Sequence, residues 1–427
     1  MPASSNSTQQ FIARLRQSLD GLTAAERLNP TKKMPPGHRP RTARRPDRAQ
    51  VARLWEYLEA ETDATPQDRD CLADAATLDS LDTYASNVET MIGTVKVPVG
   101  VAGPLRVNGL HAAGDYMIPL ATTEAALVAS YDRGAHAVGL AGGAAAALTS
   151  EGMLRAPGFA FASIFEAGMF AIWCVDSFEP LKAAAEATTR HGKLIEIAPQ
   201  IEGDVVYLLC RYTTGDAAGQ NMATIATEAL CECAVAGAPV QPRYWFVEAN
   251  LSGDKKASAL AASSGRGRSV TASVQLPQRL VERILRTTPE RMQDYWRMSA
   301  LGGVMSGTIG VQGHYANGLA ALYLATGQDV ACVAESAVGI TRMELRGTDL
   351  MVSVTLPSLV LGTVGGGTGL PSQSAGLHIL KLAGPGKASA FAEVAAALCL
   401  AGEISIIAAL SSGQFTAAHR TLARGRL

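Results

Sequence analysis

Residues 193–213, KLIEIAPQIEGDVVYLLCRYT, decide the fold. KLIEIAPQ and DVVYLLCRYT read as two strands joined across Ile201-Glu202-Gly203, the pattern of a β-hairpin. Upstream, GFAFASIFE (158–166) reads as a strand and AGMFAIWCVDSFEPLKAAAEATTR (167–190) as one helix. Downstream, AGQNMATIATEALCECAVA reads as a helix with Met222, Ile225 and Ala229 on one face, and PRYWFVEA as a last strand. The order strand–helix–strand–strand–helix–strand is that of a ferredoxin-like unit. Gly-rich and Ala-rich sequence flanks it on both sides. The expected architecture is therefore α+β. A helix-rich large domain, residues 51–157 and 248–427, carries an inserted small domain, residues 158–247. A flexible basic and Pro-rich tail, residues 1–50, precedes them.

Composition fits that picture. The chain has 427 residues, 48% of them hydrophobic and 18% charged, with a formal net charge of −1. Those values exclude a disordered chain and give no global attraction to nucleic acid or an anionic membrane. One basic stretch, residues 30–48, reads as a solvated linker. The seven cysteines are scattered without a CxxC pair, which fits a reducing compartment. Cys231 and Cys233 would point apart on a helix, so no metal site is expected there. No signal-peptide pattern is visible. The uncharged run Leu350 to Leu380 is broken by Pro357, Pro371 and several glycines, so strand and loop are expected rather than a membrane span. A soluble, cytoplasmic protein is the expectation.

No GxGxxG follows a strand, so any nicotinamide cofactor must be held without a doubly wound dinucleotide domain. Chemistry-bearing residues stand out elsewhere. Glu124 lies at an expected helix start in ATTEAALVAS. Asp254, Lys255 and Lys256 share an expected loop. His314 and Asn317 share an expected helix face, and Asp329 follows its Gly-Gln stop. His419 lies near the C-terminus. Singly, each has an ordinary structural reading: a dipole-complementing Glu, a charged turn, a cation at a helix end.

Together these motifs resemble the hydroxymethylglutaryl-CoA reductase family, from about Asn87 to Ala423. The resemblance is carried by VPVGVAGPL (97–105), TTEAALVAS, EGMLRAP, TTGDAAGQN, SGDKKAS, HYANGLAALYLATGQD, GTVGGGTGLPSQ and LAGEISIIAALSSGQFTAAH. It implies an enzyme that reduces the thioester hydroxymethylglutaryl-CoA to mevalonate and CoA with two NADPH. It also implies roles. Lys255 stabilises the oxyanion, Glu124 is the general acid, Asp329 ties the two together, and His419 protonates departing CoA thiolate. Arg155, Asp254, Lys256, His314 and Asn317 hold the substrate, and Arg133 meets CoA. Arg190 contacts the 2′-phosphate of NADPH. Asp216, Gly219 and Asn221 form the nucleotide turn, and Gly365, Gly366 and Gly367 approach the same cofactor. A homodimer or an assembly of dimers, with a mobile C-terminal flap around His419, is implied as well.

The sequence departs from the family pattern in places. Ala218 and Gln220 replace methionines in the cofactor turn. Glu248 and Ala249 replace Ser and Gly before the lysines, which sets a negative charge near an anionic substrate unless Lys256 or Arg155 neutralises it. His136 stands where a permanently charged base is common, and Thr90 where Asn is preferred. These departures keep two alternatives in view: a reductase of another acyl-CoA, and an acyl-CoA-binding relative without turnover.

Overall fold

The computed structural model describes residues 5–19, 40, 45–263 and 265–413. The chain separates into two compact units, Met1–Thr94 and Val95–Leu427. His419 and the C-terminal flap expected around it lie outside the described residues.

In the first unit, helix α1 (Ser5–Leu19) forms within the stretch expected to be a flexible tail. Its Phe11, Ile12 and Leu15 recur at i, i+1 and i+4, a short apolar stripe that favours a helix. Helix α2 (Arg48–Glu61) starts at Asp47, whose side chain accepts the Gln50 N–H. Val51 and Trp55 from α2 pack with Ala73, Leu81 and Met91 into a small core.

Among the described residues, the second unit is built on ten strands. They are β1 (Val99–Gly109), β2 (Ala113–Ala121), β3 (Ala144–Arg155), β4 (Gly158–Ala160), β5 (Lys193–Glu202), β6 (Val205–Thr213), β7 (Tyr244–Phe246), β8 (Gly267–Leu276), β9 (Ile340–Arg346) and β10 (Asp349–Leu359). One ladder runs β2-β1-β3-β8-β10-β9, antiparallel except between β1 and β3. The other runs β5-β6-β4-β7, all antiparallel. Strand β3 joins them: its last residues, Met153–Arg155, pair with Tyr212–Cys210 of β6. Along β6, Val206, Leu208, Cys210 and Tyr212 are buried on one face, the period-2 alternation of a half-covered sheet.

Helix α3 (Leu127–Leu140) precedes β3, while α4 (Ile164–Asp176) and α5 (Phe178–Glu186) lie between β4 and β5. The single helix expected over 167–190 is thus two, divided at Ser177. Pro180, with no N–H and a ring that clashes with the carbonyl four residues back, stops α4 from continuing. Helix α6 (Gln220–Gly237) follows β6, and α7 (Tyr315–Thr326) precedes β9.

Helix α8 (Ala388–Ser411) runs through the core of this unit. It is long and apolar enough to cross a membrane, yet it is almost wholly buried within the protein. It packs tightly on α3: a Cβ at Gly134 would come within 1.9 Å of the Ala401 carbonyl oxygen. Two buried carboxylates on α8 hold loops by their backbone N–H groups. Glu393 accepts from Leu110, His111, Ala112 and Leu148, and Glu403 from Gly313 and His314. Hydrogen bonds from several backbone donors make such buried charges tolerable.

Candidate active site

Helix α7 ends at Gly327, which takes the left-handed conformation (φ 72°) that stops a helix. The chain then forms a short 3-10 turn, Val330–Cys332, and a single helical turn, Val333–Ser336. Two carboxylates of this segment meet one lysine. Asp329 Oδ2 lies 2.9 Å from Lys255 Nζ, and Glu335 Oε1 accepts the Lys255 backbone N–H at 3.1 Å. The hydrogen bond that Lys255 donates to Asp329 raises the lysine's pKa above its ordinary value.

Behind this lysine lies a chain of buried ions. Asp254 accepts from Arg155 Nη1 at 2.8 Å and from Arg266 Nη2, and Arg266 Nε lies 3.0 Å from Glu335 Oε2. Burial opposes charge on Asp254, but Arg266 and then Arg155 outweigh it and hold the carboxyl below its usual range. Arg155 is itself buried. Its Nε donates to Thr224 Oγ1 at 2.9 Å and its Nη2 to the Gln220 carbonyl at 3.2 Å. Arg155 and Asp254, expected to hold substrate, are thus engaged in internal ion pairs that brace the Lys255 loop. Lys256 Nζ donates to the Asp254 carbonyl at 2.8 Å.

Glu124 stands two residues before Ala126, the N-cap of α3. Its Oε2 accepts from Asn317 Nδ2 at 2.7 Å. Asp329, expected to tie Glu124 to Lys255, meets Lys255 on one oxygen and the Ala331 N–H on the other. The site therefore holds two carboxylate pairs, Glu124–Asn317 and Asp329–Lys255. His314 and Asn317 meet different partners. The His314 ring stacks on Tyr131 and its Nε2 lies 2.9 Å from the Gly402 carbonyl. Arg133 donates to the Ser405 carbonyl at 2.6 Å, which ties α3 to α8.

Asp329 also lines a cleft of about 460 Å³ with Gly219, Gln220, Asn221, Gly365, Gly366 and Gly367. Three motifs distant in sequence meet there. Gly219 (φ 81°) is the N-cap of α6, and a Cβ on it would lie 2.1 Å from Thr214 Cγ2. Gly365 and Gly366 take positive φ and face open space, so a ligand can approach their backbone closely. Asp216 does not line this cleft: its carboxylate accepts the N–H groups of Gly386, Lys387 and Ala388 at the start of α8. Arg190 is exposed in the turn between α5 and β5.

Sequence reasoning missed Arg266, Glu335 and the linking role of Gln220. The Gln220 side chain donates to Cys332 Sγ at 2.8 Å, which joins α6 to the Asp329 segment. An acid in the apolar run VACVAESAVG was the only available signal for Glu335.

The family model for hydroxymethylglutaryl-coenzyme A reductase matches residues 50–424. A 3-hydroxy-3-methylglutaryl-coenzyme A reductase of Haloferax volcanii is 45% identical over 381 residues, covering 86% of this chain and 94% of that protein. One from Aeropyrum pernix is 44% identical over 356 residues, covering 82% and 85%. A class II 3-hydroxy-3-methylglutaryl-CoA reductase of Streptococcus pneumoniae, solved bound to NADPH in open conformations, has the same fold. It superposes with a TM-score of 0.63 at 20% identity, over 83% of this chain and 96% of that one. On fold, motif placement and sequence identity together, this chain belongs to the hydroxymethylglutaryl-coenzyme A reductase family.

Proposed function

We propose that this chain reduces hydroxymethylglutaryl-CoA to mevalonate and CoA, with NADPH as reductant, and that Lys255, Glu124, Asp329 and His419 carry the reaction. The observation that carries this reading is the Lys255–Asp329 pair at the edge of a glycine-lined cleft. That cleft fits a dinucleotide: open backbone at Gly365 and Gly366, the α6 N-terminus at Gly219, and the polar side chain of Asn221. When bound there, NADPH supplies the hydride for each of two reductions. We assign the inserted segment 158–247 as the part that carries the cofactor, with exposed Arg190 meeting the 2′-phosphate.

The chain's own residues have separate tasks. The Lys255 ammonium faces the oxyanion that forms when the thioester carbonyl is reduced, and Asp329 holds it charged and aimed. Fixed donors of this kind are worth on the order of 10²–10³ in rate. The carbon–sulfur bond of the resulting hemithioacetal then breaks, and His419 protonates the departing thiolate, which otherwise re-adds to the aldehyde. Lys255 meets the second oxyanion, and Glu124, oriented by Asn317, protonates the alkoxide to the alcohol.

Glu248 motivated a different acyl group, but its charge is absorbed locally. It accepts from Asn250 N at 2.8 Å, Ser252 Oγ at 3.0 Å and Ala156 N at 3.3 Å, and lies 3.8 Å from Arg155. That favours the hydroxymethylglutaryl reading over a different thioester. We also propose a cytoplasmic homodimer or assembly of dimers. The helix Pro289–Ser306 supports self-association: it exposes Met298, Leu301 and Met305 at i, i+3 and i+7.

The test is NADPH absorbance decay with purified protein and hydroxymethylglutaryl-CoA, with other acyl-CoA thioesters and NADH in parallel. Two NADPH oxidised per CoA released, lost in Lys255→Ala, is the expected result. Oxidation only with another thioester would overturn the substrate assignment. Tight acyl-CoA binding without turnover would favour the non-catalytic relative.

A further inference from the structure

We infer that Glu335 is a positioning residue for Lys255: its buried carboxylate holds the lysine's backbone N–H in the turn from which the ammonium reaches Asp329. This rests on Lys255 acting at the reacting carbonyl.

Three observations carry it. First, Lys255 has φ 58°, a left-handed conformation that non-glycine residues adopt at a cost and keep only when their surroundings impose it. The Glu335 carboxylate supplies a restraint there, 3.1 Å from the Lys255 N–H. Second, Glu335 is fully buried, in a short helical turn of otherwise small and apolar residues. A carboxylate in such a place is a weak device for stability, because its desolvation rivals what its ion pair returns. Third, Asp329 and Glu335 stand six residues apart on one short segment and meet opposite ends of the same lysine. The segment thereby fixes both the backbone and the ammonium.

The groups that face Glu335 come from several elements. Arg266 meets its second oxygen at 3.0 Å, from the residues just before β8. Asp254 and Lys255 belong to the loop, Cys332 to the 3-10 turn, and Tyr323 to α7, its hydroxyl bound to Ser336. Burial, opposed by Arg266, pushes Glu335 up to about 7. Its charge, and with it the grip on the lysine N–H and on Arg266, is therefore gained as pH rises through neutrality.

The test is Glu335→Gln, which keeps the shape and an accepting oxygen but not the charge. In steady-state assays with hydroxymethylglutaryl-CoA and NADPH, kcat should fall about tenfold, the size of one charge-assisted contact. Both KM values should stay within about twofold, because the residue touches neither substrate. The rise of kcat across pH 6–8 should flatten, and Glu335→Asp should restore part of it. A Glu335→Gln enzyme with wild-type kcat and pH profile would overturn the inference, as would a loss in KM alone. If Glu335→Gln does not fold, the same readings on Glu335→Asp decide: wild-type kcat and profile there overturn it. Full activity of Lys255→Ala would instead sink the catalytic reading of Lys255 itself, a separate outcome.

Discussion

The ammonium nitrogen of Lys255 lies 2.9 Å from Oδ2 of Asp329, and both side chains are partly exposed to the space in front of them. A charged donor that is paired yet reachable can transfer its field to an incoming carbonyl. Asp329→Asn keeps the shape but removes the anion that raises the Lys255 pKa and aims its ammonium. We expect kcat to drop about 10²-fold, close to the loss of a fixed oxyanion donor. Rapid-mixing measurement of the first hydride transfer checks this; a loss confined to KM would count against the pairing.

Glu124 has one anchoring side-chain contact, from Asn317 Nδ2 at 2.7 Å. Asn317→Ala leaves the carboxyl free to rotate. One hydrogen bond of about 1 kcal/mol corresponds to a five- to tenfold fall in kcat. The alkoxide protonation should suffer most, so a solvent isotope effect on kcat should grow. If kcat is unchanged, Glu124 is oriented by something else or does not donate the proton.

The hairpin at 193–213 and the long helix at 388–411 were legible because their apolar residues carry a period of two or sit in an unbroken run. The Ser177 break was not anticipated: apolar spacing continues across it, and only Pro180 marks it. In the site, Lys255, Asp329, Gly219 and the 365–367 glycines lie in motifs that the family resemblance marks, and the fold brings Asp329, Gly219 and those glycines to one cleft. The ion chain Arg155–Asp254–Arg266–Glu335 was not. Its four members come from separate segments, and nothing in a linear pattern says that their charges will neutralise one another inside. The same holds for Asp216, whose place in a nucleotide-turn motif gave no hint that its carboxylate would hold the start of α8.

Gly219 makes a backbone prediction. Its φ of 81° disfavours any side chain, and an added methyl would meet Thr214 Cγ2 at 2.1 Å. Gly219→Ala should destabilise the protein by roughly 1–3 kcal/mol and displace the α6 N-terminus. Thermal melts should show a lowered Tm, and the KM for NADPH should rise more than that for the acyl-CoA. Equal effects on both substrates would mean that this turn does not serve the cofactor.

Arg190 is exposed, so its removal should leave the fold intact. Arg190→Gln should raise the KM for NADPH about tenfold by loss of a charge-assisted phosphate contact, and leave the KM for NADH as it was. An equal change with both nucleotides would remove Arg190 from the 2′-phosphate role.

Arg266 is costly to remove, because it is buried and faces two carboxylates, Asp254 and Glu335. Arg266→Leu should destabilise by about 3–5 kcal/mol, the usual penalty for leaving a buried partner charge uncompensated. The loss should depend on pH, and its sign follows from Glu335. In the folded protein burial raises this carboxyl from its ordinary 4.5 to about 7. The folded state therefore binds the proton more tightly than the unfolded chain. Its contribution to stability is complete below about 4.5 and is lost as pH rises through about 7. Arg266 opposes that rise, so without it the carboxyl moves higher and the loss continues to more alkaline pH. The Tm gap between wild type and Arg266→Leu should thus widen from pH 5.5 to pH 8. A gap that is constant across this range would mean that Arg266 stabilises the fold without compensating the Glu335 charge.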